Sequence, residues 1–384
     1  MAIAAIADVL IVPLLPTFRS QLGLTPLELG VLVGATPFVM IFASLWLGPL
    51  TDRSGWKIAA IAGGVLLMFG ALVQLVATTL LVLLLGRLIN GMAYALIGTA
   101  VVTGAASTGR TDLERARATA MIPAIAGAAF VIGPTSVGLL AQHVGIWLPF
   151  VLVAIISLVL TVVLWFAPHT ASTPYAGSMR KDARIIFSSP LLRSAMVTNA
   201  VAGFLSGGAI LLAPLVFAAS GESSTTIGFA FSLGSLLGIG SALFVRKRPR
   251  LLRPMFSAGG LIFVAVAFAT PMFLAGWLAG WFISLIRGTL QPTFGVIAYT
   301  QGTLGAYATG SGLGTITGLG NAIWATTYSL VPVVMGLVVT GTGLKSACVI
   351  FGVCLLLIAA LLVRSDRILA RINLPIIETG SDLS

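Results

Sequence analysis

Charge is what this chain has least of. Only 8% of its 384 residues are Asp, Glu, Lys or Arg, and 10 of them are acids. A soluble domain carries roughly 25% charged residues. Too few solvating groups exist here to cover a water-facing surface, so the solvent must be mostly lipid. Cysteine and histidine are scarcer still, two of each. Cys348 and Cys354 stand six apart in the last apolar run, do not share a helix face, and read as small core residues rather than a disulfide or metal pair. His143 and His169 are isolated, with no zinc or haem spacing around them. No Ser/His/Asp set or metal cluster is visible, so neither an enzyme nor a cofactor is expected. The N-terminus lacks the basic region of a cleaved signal peptide.

What the chain has in abundance is apolar sequence, 58% of all residues. Runs near the ~20 residues that a bilayer-spanning helix needs fall at 1–18, 27–49, 58–78, 80–106, 118–141, 145–167, 191–218, 226–245, 254–273, 275–299, 308–340 and 344–363. Glycines blur both ends of the stretch 300–340. The reading is an all-α integral membrane protein of twelve transmembrane helices, with the lipid bilayer as its first partner.

A net charge of +11 would suit nucleic acid, but its distribution speaks against that partner. With Met1 facing the cytoplasm, the inner loops and ends hold Arg53, Lys57, Arg110, Arg115, Arg117, Arg180, Lys181, Arg184, Arg193, Arg246, Lys247, Arg248, Arg250, Arg253, Arg364, Arg367 and Arg371, and the outer loops only Arg19 and Lys345. The positive-inside rule then puts both termini in the cytoplasm and the protein in the cell (inner) membrane.

Between 168 and 190, "PHTASTPYAGSMRKDARIIFSSP", the apolar pattern lapses into Pro, Ser, Thr and charge, dividing the spans six and six. Expected units are a six-helix bundle over 1–167, a cytoplasmic linker over 168–190, a second six-helix bundle over 191–364 and a tail over 365–384. Residues on either side match at a nearly fixed offset: Pro13 with Pro214, Gly30 with Gly228, Arg87 with Arg287, Pro134 with Pro332 and Gly138 with Gly336. Prolines and glycines match easily by chance, but an arginine inside an apolar run is rare. Parallel repeats of this kind build transporters that rock about a central site.

One charged stretch stands between the second and third spans: "GPLTDRSGWK", with Gly48, Asp52, Arg53, Gly55 and Lys57. It resembles the signature loop of the major facilitator superfamily. Three further features are similar to its twelve-helix drug:proton antiporter branch. The first span reads "ADVLIVPLLP", with Asp8 ahead of Pro13 and Pro16. The fourth reads "LGRLINGMAYALIG", with Arg87 embedded. The fifth reads "GAAFVIGPTSVG", close to the Gly-Pro motif that marks antiporters. Departures are Trp56 where a basic residue is usual, Val137 and Ala129 in place of glycines, and a second-half loop, "VRKRPRLLR", without an acid. The chain also starts inside its first helix, where relatives have a tail, and an upstream start would place Asp8 deeper.

The resemblance implies that Asp52 docks at a helix N-terminus in the other half, within "GSGLGTITGLG" at Gly310 to Gly320, and latches the cytoplasmic side shut. A helix N-terminus offers partial positive charge and free N–H groups for such a contact; the alternative is a solvated turn. The resemblance reads Gly127, Gly133, Pro134 and Gly138 as a leak barrier in the fifth span, against simple close packing.

Asp8 is the one acid clearly inside a span, at a cost of about 2.5–3.5 kcal/mol on insertion scales. Burial and a nearby Arg87 act on its proton affinity in opposite senses, as a proton carrier requires; the alternative is a permanent structural pair. Arg287 and the polar or aromatic Asn90, Tyr94, Asn199, Gln291, Asn321 and Trp324 are the residues expected at a substrate cavity, with helix-to-helix bonding as the alternative for each. Two arginines against one acid favour neutral, zwitterionic or anionic amphiphiles. The expectation is therefore a monomeric alternating-access transporter that exports a small amphiphile against protons. An uptake permease, a dedicated metabolite exporter, or a non-transporting receptor or scaffold are the alternatives.

Overall fold

The computed structural model describes residues 1–108, 112–166, 189–246, 254–309 and 313–371, without the side chains of 44–46, 48–54, 102, 106–108, 112–124, 246, 254–257, 307, 313–315, 317 and 365–371. Within them the chain forms helices and no strand. Twelve spans follow in order. The first consists of two pieces, Ala2–Val9 and Ile11–Leu22. After it come Pro26–Ser54, Trp56–Leu75, Leu80–Thr108, Asp112–His143 and Trp147–Phe166. The second half has Pro190–Ala218, Ser224–Arg246, Pro254–Ala269 (extended by a 3-10 turn, Thr270–Met272), Gly276–Thr309, Leu313–Thr342 and Leu344–Arg371.

Local chemistry sets the ends. Gly23 closes the first span in the left-handed region, φ 65, a conformation that glycine adopts without steric cost. Thr25 and Glu28 then form a capping box, Thr25 N–H donating to Glu28 Oε2 at 2.8 Å and Glu28 N–H to Thr25 Oγ1 at 3.3 Å, with Pro26 at the first helical position. Ser189 caps the seventh span by accepting from Leu192 N–H, again ahead of a proline.

Several boundaries differ from the sequence reading by five residues or more, among them the starts of the fifth and eleventh spans and the end of the twelfth; two others are instructive. "GPLTDRSGWK" reads as a charged turn, yet its first seven residues continue the second span as helix, and the chain breaks only at Gly55, φ 84 and ψ 149. The tenth span runs to Thr309, ten residues past the expected end; its glycines and threonines lower the apolar signal without breaking the helix.

Apolar faces point outward as well as inward. The sixth span leaves Ile155, Leu158, Val162, Trp165 and Phe166 exposed, and the twelfth leaves Val353, Leu357 and Leu361. In water such surface would drive association; in a bilayer it is the lipid contact. Inside, spans seven, nine and twelve meet at Phe351, whose ring stacks on Phe204 at 5.0 Å and takes the edge of Phe268 at 4.7 Å.

The two six-helix bundles touch where the repeat predicts equivalence. The second span lies along the eleventh, and the fifth along the eighth. Gly30 abuts the Pro332 carbonyl and Gly228 the Pro134 carbonyl; Gly336 abuts Pro26 and Gly138 abuts Ser224. Each of these pairs maps onto its counterpart in the other interface by 198 residues. These contacts lie on the face of the molecule opposite the termini.

Candidate functional site

The first span breaks at Leu10, three residues before Pro13. Proline has no N–H to give to the carbonyl four residues back, and the last carbonyls of Ala2–Val9 are left needing donors. Arg87 of the fourth span supplies two of them, those of Ala7 and Asp8. Its Nη1 donates to Asp8 O at 3.1 Å and Ala7 O at 3.5 Å, and its Nη2 to Asp8 Oδ1 at 3.2 Å. Arg87 is 1% exposed and Asp8 8%, so this ion pair is sealed from solvent. Thr36 of the second span donates to the Arg87 carbonyl at 3.2 Å, fixing the backbone behind it.

Around the pair stand two phenols. Tyr94 lies two turns along from Arg87, on the same helix face, within electrostatic reach of Asp8. Tyr328 comes from the eleventh span of the other bundle, buried and turned towards the Asp8 carboxyl. Its charge environment also includes Arg87 and Arg287. Tyr328 was not among the residues singled out from sequence. The one available signal is its spacing, four residues after Trp324, and the two rings do pack, 4.8 Å between centroids.

Arg287 of the tenth span is buried, with Nη2 3.4 Å from Gln291 Oε1 and Cζ 5.4 Å from the centre of the Phe231 ring. The remaining expected cavity residues scatter. Asn90 turns to the third span, its Oδ1 against Gly70, because it sits about 60° around the helix from Arg87. That is a packing position inside the first bundle, not one beside Arg87. Asn199 donates to Ala195 O at 3.1 Å and packs on Gly320, within the second bundle. Asn321 is exposed, and Trp324 half-buried.

In the fifth span Gly127 faces Ile239, Gly133 faces Ile6 and Val9 of the first span, and Pro134 and Gly138 meet the eighth. Of the signature loop, Gly55 is buried at the start of the third span and Lys57 is half-buried. The Asp52 latch falls on side chains outside the described residues, as do Gly48, Arg53 and the first three residues of its expected receptor. Cys348 and Cys354 are free thiols, and no metal-holding group of His, Cys, Asp or Glu occurs among the described residues.

A sequence model of the Major Facilitator Superfamily matches residues 1–325. The chain belongs to that superfamily. Its members are transporters rather than enzymes, and the protein is a multi-pass membrane protein. Quinolone resistance protein NorA of Staphylococcus aureus (strain MRSA252) is 29% identical over 167 residues, covering 43% of this chain and 42% of NorA. Multidrug resistance protein 2 of Bacillus subtilis (strain 168) is 29% identical over 153 residues, 40% of this chain and 38% of that protein. These matches thus span about two-fifths of each relative. Among solved structures, a bacterial homologue of the human lysosomal transporter Spinster, in an inward-facing and unoccupied conformation, superposes with a TM-score of 0.75 at 15% identity, covering 96% of this chain and 95% of that one. That likeness establishes the superfamily fold.

Proposed function

We propose that this transporter works by alternating access and exports a small amphiphilic molecule in exchange for protons, as a monomer in the inner membrane with both termini cytoplasmic. The observation that carries the reading is the Asp8–Arg87 pair. Among the described residues Asp8 is the one buried acid, it is ion-paired at 3.2 Å, and Tyr328 reaches it from the opposite bundle. When the bundles rock, that phenol moves relative to the carboxyl, so loading and release of a proton follow conformation.

The coupling is energetically sufficient. One proton descending ~100 mV releases about 2.3 kcal/mol, enough for roughly fortyfold accumulation at one-to-one exchange. NorA and Multidrug resistance protein 2 are both named for drug resistance, which favours export over uptake and makes a quinolone a sensible first probe.

The test is flux in proteoliposomes under an imposed pH gradient, with amphiphiles of each charge. Wild-type protein should move at least one probe against its gradient. Asp8→Asn should lose pH-driven movement and keep downhill counterflow. Coupled flux that survives Asp8→Asn would remove the proton role from this pair.

A further inference from the structure

The equivalent arginines of the two halves have unequal surroundings. Arg87 has a carboxylate at 3.2 Å and two backbone carbonyls within 3.5 Å. Arg287, 200 residues on, is 4% exposed. Among the described residues its hydrogen-bond acceptor is one neutral carboxamide, Gln291, on its own helix, and its other neighbours include the face of Phe231 and the phenol Tyr328. Its Nε has no partner, which is equally true of Arg87 Nε, but one turn back Ser284 Oγ is buried and unpartnered too. Residues three apart lie on one face of a helix, so both orphaned donors belong to the same side of the tenth span.

The repeat explains the asymmetry. Pro13 aligns with Pro214, and the same offset of 201 puts Ala209, fully buried, where the first half has Asp8. The other acids of the chain lie near helix ends, in loops or in the polar linker and tail of the sequence. A guanidinium does not give up its proton, and a buried unpaired charge is strongly disfavoured. An aromatic face and an amide offset only part of that.

We propose that Arg287 receives an anionic group of the transported molecule, a carboxylate or an acid of similar geometry, so that the substrate class is amphiphiles bearing one negative group. This rests on the transport reading above and narrows it: organic cations without an acid are excluded. The planar guanidinium fork suits a carboxylate, Phe231 supplies apolar surface beside it, and Ser284 leaves a further donor free. Arg87 cannot serve in the same way, because Asp8 already occupies its fork. In the first half the counter-charge is part of the protein; in the second it arrives with the cargo.

The full chain in lipid nanodiscs is titrated with dansylglycine, which carries a carboxylate, and dansylglycinamide, which does not, and binding is read from dansyl emission. The carboxylate should bind about tenfold more tightly, the factor given by about 1.4 kcal/mol. Arg287→Gln should bring the two probes within about twofold, chiefly by weakening the carboxylate, and Arg287→Lys should keep part of the preference. Ala209→Asp, which gives the second half its missing acid, should abolish the preference with the arginine still in place; should it fail to fold, the two Arg287 variants decide. Equal affinities in the wild type, no saturable binding of either probe, or a preference that survives Arg287→Gln each overturn the proposal. A protein that drives flux under a pH gradient yet ignores the carboxylate sinks this inference alone. One that binds the carboxylate through Arg287 and moves nothing sinks the transport reading instead.

Discussion

The backbone of Gly30 lies directly against the carbonyl of Pro332, and 198 residues on Gly228 lies in the same way against Pro134. Neither contact leaves space for a Cβ. Both join the bundles on the face opposite the termini, so they hold that face closed. Gly30→Ala and Gly228→Ala should each open it, at a cost to the closed state of about 1–3 kcal/mol, the usual range for an added methylene in a packed interior. Spin labels at His143→Cys and Lys345→Cys, in a background lacking Cys348 and Cys354, report the distance. Gly98→Ala, with nothing within 4 Å of the new atom, is the matched control and should leave the distribution alone.

Gly55 makes a second backbone prediction of a different kind. At φ 84 and ψ 149 it occupies a region that is essentially glycine's alone, with a penalty of about 1–3 kcal/mol for other residues. It is also the point at which the second span ends and the third begins. Gly55→Ala should lower the thermal midpoint of the purified protein; an unchanged midpoint would mean that the break relaxes freely.

The pairing of Asp8 with Arg87 has a stability consequence separable from transport. Removing one partner of a buried ion pair leaves the other uncompensated, typically at about 3–5 kcal/mol. Asp8→Asn alone should therefore destabilise the protein more than the double variant Asp8→Asn, Arg87→Gln. Denaturation in detergent reads the order. If the double variant is the less stable of the two, Arg87 contributes mainly through its bonds to Ala7 O and Asp8 O rather than through the carboxylate.

How much of this was legible from residues alone follows from what periodicity carries. Hydropathy locates twelve spans because lipid demands about twenty apolar residues per crossing. It misplaces the ends of the second and tenth spans because polar residues continue a helix once its hydrogen bonds are under way. The offset of 198 linking Gly30 to Gly228 and Pro134 to Pro332 was visible in sequence, but that these residues meet each other was not, since a repeat gives equivalence and not contact. Asp8 and Arg87 stood out as scarce charges in grease. Tyr328 did not: one hydroxyl on an aromatic ring hardly disturbs an apolar run. Likewise the break at Leu10 was not separable from Pro214, the equivalent of Pro13, which the seventh span passes without interruption.

Asn90 and Tyr328 provide the sharpest check on how the central site is composed. Asn90 is 3% exposed, with Oδ1 against Gly70 and no hydrogen-bond partner among the described residues. Its amide fills space between the third and fourth spans and does not face Asp8. Asn90→Ala should cost about 1–2 kcal/mol of stability, as a lost buried contact does, and leave the pH dependence of transport where it was. Tyr328→Phe removes only an oxygen and keeps the ring on Trp324, so the fold should hold. It deletes a donor beside the buried Asp8 carboxyl, and the pH midpoint of transport should therefore move. Both are read from initial rates across a series of internal pH values. A displaced profile for Asn90→Ala with none for Tyr328→Phe would place the proton-sensitive chemistry within the first bundle and break the link between protonation and the meeting of the two halves.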